Sequence, residues 1–203
     1  VRHGFMIVGM PYAGKSEALN LLSQSLSSLH VDLPEDDRWK KVYYQVINPK
    51  SISMGELYGN YNLLTNEWTD GLGSTVIRNA NSDTTDDKKF IVFDGPIDAI
   101  WIENMNTVLD DNKKLCLMTG EMLQMNETMS MIFETLDLDA ASPATVSRCG
   151  MVYLEPENIG NQRKHSREHR IDREVRSQFL FIESIQLLLL LFRPVRYFPR
   201  FQQ

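Results

Sequence analysis

Eight residues near the amino end, Gly9-Met-Pro-Tyr-Ala-Gly-Lys-Ser16, restrict the fold of this chain more than anything else in it. They match the phosphate-loop pattern G-x-x-x-x-G-K-[ST] in full, and their context is the one that pattern requires. The apolar run Phe5-Met-Ile-Val8 before them reads as a buried parallel strand. After them, Leu19, Leu22, Leu26 and Leu29 recur at helical spacing. Gly9 and Gly14 allow the backbone to curl so that successive N–H groups point at phosphate oxygens. The helix beginning near Lys15 adds its N-terminal dipole, and Lys15 adds a point charge. The Ser16 hydroxyl has the chemistry of a direct Mg²⁺ ligand. Gly9, Pro11, Ala13, Gly14, Lys15 and Ser16 are therefore expected to hold ATP or ADP with Mg.

Such a site also needs an acidic residue at the end of a neighbouring strand to hold the water shell of the cation. Phe90-Ile-Val-Phe-Asp94 supplies Asp94 after four apolar residues. A hydrolytic site of this kind carries Glu next, to polarise the attacking water; this chain has Gly95. Asp98 and Glu103 follow on a turn and helix, where a surface role fits better than catalysis.

Strands are expected at Phe5–Val8, Val42–Ile47, Phe90–Phe93, Met129–Phe133 and Met151–Leu154. Helices are expected at Glu17–Leu29, Asp98–Met105 and Pro143–Arg148, and short ones around Met54–Tyr58 and Leu72–Ala80. Leu115–Met118 and Met122–Met125 read as a hairpin turning at Thr119-Gly120. The alternation specifies an α/β layer structure with a largely parallel five-stranded sheet flanked by helices. Trp68, Trp101 and Met105 read as core. Cys116 and Cys149 read as small buried residues in a reducing compartment.

The 203 residues carry a net charge of −6, which argues against a nucleic-acid partner. That charge is unevenly spread: residues 161–203 hold nine Lys/Arg and four Asp/Glu, leaving twelve basic against twenty-three acidic residues before them. The apolar stretch Phe179–Phe192 is 14 residues long, below the ~20 a membrane-spanning helix needs, so no membrane span is expected. The missing initiator Met and missing signal peptide suggest an internal fragment of a cytoplasmic protein.

The runs Asn48–Gly55, Asn66–Gly71, Phe93–Leu117 and Ala141–Tyr153, together with the phosphate loop, resemble dynein heavy chains of the axonemal type, and more narrowly the second AAA+ module of their motor ring. The resemblance implies an AAA+ large subdomain over 1–159, with the hairpin as an insert and the helical lid subdomain missing. It stops at Asn161, so 160–203 reads as a basic, leucine-rich tail, poorly ordered or mis-spliced. It further implies an ATP-binding module with little or no hydrolysis, within a minus-end-directed microtubule motor of the cilium or flagellum axoneme. Its partners would be neighbouring AAA+ modules, intermediate and light chains, and microtubules.

By the same resemblance, Arg148 would be an arginine finger acting in trans on the neighbouring, hydrolysing module; a surface ion pair is the alternative. Where an active module carries Asn after its sensor strand, this chain has Glu134, Thr135 and Asp137, whose carboxylates would repel a γ-phosphate. Met118, Met122 and Met125 would form an apolar hairpin tip touching another ring element. Whether the module is itself an enzyme stays open. A free-standing ATPase or kinase using Asp98 or Glu103 as base, or a fragment without function of its own, remain alternatives.

Overall fold

The computed structural model describes residues 4–156. They form nine strands and six helices. β1 (Gly4–Val8) leads through the loop into α1 (Lys15–Asp32), followed by β2 (Val42–Ile47). α2 (Met54–Tyr58), β3 (Gly59–Tyr61), β4 (Trp68–Asp70) and α3 (Leu72–Ser82) precede β5 (Lys88–Asp94). α4 (Ala99–Asn104), α5 (Asn106–Leu109), β6 (Lys114–Cys116) and β7 (Met122–Gln124) come next. β8 (Met129–Thr135), α6 (Pro143–Arg148) and β9 (Cys149–Tyr153) complete the series.

Five strands form one all-parallel sheet in the order β2-β5-β8-β1-β9. β1, β5 and β8 are central and covered on both faces, which is why Phe5-Met-Ile-Val8 and Phe90-Ile-Val-Phe93 are unbroken apolar runs. Met6, Val8, Ile91, Phe93, Met131 and Phe133 turn to one face and join the main core with Trp101, Ile102 and Met105. Alternate residues, including Ile7, Val92 and Ile132, are buried on the other face. In α1, Leu19 and Leu22 are fully buried, while Leu26 and Leu29 are half-buried. At the sheet's edges, Tyr43 and Val46 of β2 and Met151 and Tyr153 of β9 are exposed.

Two small antiparallel pairs stand apart from this sheet. The β6–β7 pair is the expected hairpin, with Gly120 at its turn at φ +83°. Its methionines divide: Met118 and Met122 are exposed, but Met125 is buried in the core and is not part of an apolar tip. The β3–β4 pair was not expected; its strands are three residues each. Cys149 is buried as expected, whereas Cys116 is exposed because β6 turns it to solvent. Among the described residues no helix is long and apolar enough to cross a membrane. The expected tail over 160–203, including Phe179–Phe192, lies outside the described residues.

Candidate functional site

The phosphate loop lies at the C-terminal end of β1, where a ligand site in an open parallel sheet is expected. Gly14 caps the N-terminus of α1 in the left-handed region, at φ +75°. Gly14 has no side chain to cap that terminus, which leaves the N-terminal end of the 18-residue helix turned to the loop. Gly9 is required for a different reason. A Cβ there would come within 2.1 Å of the Leu154 carbonyl oxygen, so only glycine fits between the loop and the exit of β9. The loop's entry is pinned by Gly9 N–H donating to the Thr135 carbonyl at 3.2 Å, and Leu154 N–H donates to the Val8 carbonyl at 2.8 Å.

Lys15 lies back across the loop. Its Nζ donates to the carbonyls of Gly9 (2.7 Å) and Met10 (3.1 Å), placing the cation over the concave side of the backbone. Ser16, on the first turn of α1, donates its hydroxyl to Glu134 Oε1 at 2.5 Å. Glu134 is 4% exposed, and burial pushes its carboxyl above the usual carboxylate range; the nearby Asp94 charge adds to this, while Ser16 and Lys15 oppose it. Asp94 at the end of β5 is the register partner of Glu134 on β8, and Ile7 of β1 pairs with Glu134 from the other side. Burial first, then the charges of Glu134 and Asp94, hold the phenol of Tyr44 on β2 above its ordinary value. Gly95 N–H donates to the Glu134 carbonyl at 3.0 Å. A Cβ on Gly95 would lie 3.2 Å from Asn48 Oδ1 and 3.4 Å from Pro49 Cδ, so a larger residue would need those side chains to give by a few tenths of an ångström.

This donor set fits a nucleotide with its cation. The curled backbone, the uncapped helix terminus and Lys15 suit phosphate, and Ser16 with Asp94 and Glu134 offers the oxygens a hard cation takes. Asp98 is occupied elsewhere: it caps α4 by accepting from Ile100 N–H, and Lys50 holds it at 3.2 Å, which keeps its carboxyl low. Arg148 closes α6 just before β9 and pairs with Asp110. Because Cys149 is in register with Gly4, Arg148 stands at the opposite end of the sheet from the loop, about 15 Å away at the usual strand rise. It is therefore out of reach of the loop in its own chain.

No family model matches the chain. Over 160 residues, 79% of its length, it is 56% identical to human dynein axonemal heavy chain 3 and 55% identical to rat dynein axonemal heavy chain 12. Over 161 residues it is 55% identical to human dynein axonemal heavy chain 1. The chain carries axonemal dynein heavy-chain sequence. It spans only 4–5% of the length of these relatives.

In this dynein segment the five-stranded parallel sheet with its flanking helices has the architecture of an AAA+ large subdomain. Gly9, Gly14, Lys15, Ser16 and Asp94 converge at the C-terminal end of the sheet; Arg148 does not join them. Pro11 and Ala13 lie within the loop, and Ala13 is buried with its N–H donating to the Met10 carbonyl at 3.1 Å. Two features of the dynein site went unread in the sequence. One is the bond between Ser16 and Glu134, which joins residues 118 positions apart. The other is Tyr44, whose only sequence signal is a polar tip within an apolar strand.

Proposed function

We propose that this chain is the second AAA+ module of an axonemal dynein heavy chain, binding ATP or ADP with Mg²⁺ and hydrolysing it little or not at all. The observation that carries this reading is an intact phosphate loop facing a strand end that reads Asp94-Gly95, with Gly95 packed against Asn48 and Pro49. Gly9, Pro11, Ala13 and Gly14 shape the cradle, Lys15 meets the outer phosphates, and Ser16 and Asp94 serve the cation. A bound Mg²⁺, held by Ser16 and Asp94, would supply positive charge that offsets that of the phosphates. No side chain at position 95 is available to orient a water. The position of Arg148, far from its own loop, supports an arginine finger reaching the neighbouring, hydrolysing module. The segment then works as a regulatory part of a microtubule motor in the cilium or flagellum axoneme, with intermediate and light chains as partners. The domain is taken to end at 159, with 160–203 as an appended tail.

The test is binding of a fluorescent ATP analogue and steady-state ATP turnover by a complete heavy chain carrying this segment. Lys15→Ala should remove occupancy at this site and leave most of the turnover. Loss of nearly all turnover in Lys15→Ala would sink the regulatory reading, and unchanged occupancy would sink the assignment of the loop.

A further inference from the structure

We propose that Glu134 is the carboxylate that seats the Ser16 hydroxyl for a divalent cation and, with Asp94, makes this pocket take nucleotide as its cation complex rather than as the bare polyphosphate. The inference rests on the nucleotide-binding reading above and assigns to one buried side chain the cation dependence of that site.

Three observations carry it. A serine hydroxyl has one proton and two lone pairs. In this chain the proton is spent on Glu134, at 2.5 Å, which fixes the hydroxyl rotor and turns its lone pairs away from the carboxylate. That is the orientation a directly liganding hydroxyl needs. Second, the strand order sets the reach. β8 lies between β1 and β5, so Ile7, Glu134 and Asp94 form one row across three neighbouring strands. Glu134 is therefore one strand from the phosphate loop and Asp94 is two. The nearer carboxylate meets the hydroxyl, and the outer one stands beside it on the side away from the loop.

Third, the charges are concentrated at one end of the sheet. Glu134 is 4% exposed, and its register neighbour Asp94 is exposed at the strand end. Lys15 is the cation close to Glu134, but its Nζ is held by the Gly9 and Met10 carbonyls. The two carboxylates repel the oxygens of a polyphosphate, and the repulsion from buried Glu134 is less screened than at an open surface. A divalent cation between carboxylates and phosphate reverses the sign of that interaction. The same row that weakens binding of bare nucleotide thus strengthens binding of the complex, and Glu134 serves as a positioning residue through Ser16.

The test measures affinity of the full 203-residue chain for a fluorescent ATP analogue with excess Mg²⁺ and in EDTA, and the Mg²⁺ concentration giving half-maximal binding. Glu134→Gln keeps the shape and an acceptor for Ser16 while removing the charge. It should bind better than wild type in EDTA and should raise the half-maximal Mg²⁺ about 10–100-fold, the range typical of partners that orient a metal ligand. Ser16→Ala, which removes the hydroxyl instead, should raise the half-maximal Mg²⁺ as well, and thermal melts confirm that both variants fold. Equal affinity of wild type with Mg²⁺ and with EDTA would overturn the proposal, as would unchanged Mg²⁺ dependence in Glu134→Gln. Lys15→Ala separates the two readings. If it abolishes Mg²⁺-supported binding while Glu134→Gln changes nothing, the nucleotide site stands and the role of Glu134 falls. If wild type binds under neither condition, both fall together.

Discussion

The Leu154 carbonyl oxygen occupies the space that a side chain on Gly9 would need: a Cβ there would be 2.1 Å from it. Both backbones are held in place, Gly9 by its bond to Thr135 and Leu154 by its bond to Val8. Gly14, five residues on, has a left-handed φ of +75°. The two glycines of the phosphate loop are thus needed for different reasons, and substitutions should separate them. Gly9→Ala should lose about 1–3 kcal/mol through overpacking against backbone, and Gly9→Asn more. Gly14→Ala should lose about 1–2 kcal/mol from the left-handed conformation, and Gly14→Asn less, because Asn visits that region. Urea denaturation of the four variants checks the ordering. If Asn is the milder substitution at both positions, the steric account of Gly9 is wrong.

Phe93 is the keystone of the ring stack beneath Asp94. Its ring lies 5.5 Å from Phe133 and 5.7 Å from Trp101, centroid to centroid, with interplanar angles of 20° and 23°. It is 1% exposed, on a central strand that cannot collapse without disturbing both neighbours. Phe93→Ala should therefore destabilise the chain by about 3–5 kcal/mol. The near-ultraviolet circular dichroism of Trp101 should weaken with it. A loss below 1 kcal/mol in chemical denaturation would mean that the stack is not a determinant of this fold.

Why some of this was legible in the sequence and some not comes down to distance along the chain. β1, β5 and β8 are central strands, and the apolar runs Phe5–Val8, Phe90–Phe93 and Met131–Phe133 within them declare themselves locally. The phosphate loop declares itself because its function fixes residue types at fixed spacing. β3 and β4 do not. Gly59, Asn60 and Asp70 are poor strand formers, and the pair is held by a cross-strand contact, the Trp68 indole lying where a Cβ of Gly59 would be, 2.1 Å away. The run 98–105 reads as one helix extending to Met105, yet Met105 ends α4 and α5 begins after it, both burying apolar residues on the same core. The approach of Leu154 to Gly9 and the bond from Ser16 to Glu134 join the two ends of the domain. No local pattern encodes either.

Arg78 on α3 links the two small hairpins, and the link should show as a pH slope. Its Nε donates to Asp70 Oδ2 at 3.1 Å, and Nη1 and Nη2 donate to Glu121 at 2.7 and 3.0 Å. Asp70 also accepts from Trp68 Nε1 at 2.7 Å. The Trp68 N–H first, and the Arg78 guanidinium with it, hold the Asp70 carboxyl below its usual range. Hydrogen bonds from Arg78 do the same for Glu121. A carboxyl whose folded pKa is depressed binds fewer protons folded than unfolded. Its contribution is present above the unfolded value and is lost as pH falls through the folded one. Wild type should lose stability on acidification from about pH 5 towards pH 3, and Arg78→Ala should lose less over the same window. The exposure of the cluster to solvent makes its effect at neutral pH small, so the slope is the diagnostic rather than the stability at pH 7. Urea midpoints at pH 7, 5, 4 and 3 measure it. Parallel curves for the two proteins would mean that Arg78 does not depress these carboxyls, and that the hairpins are held by the Trp68 and backbone contacts instead.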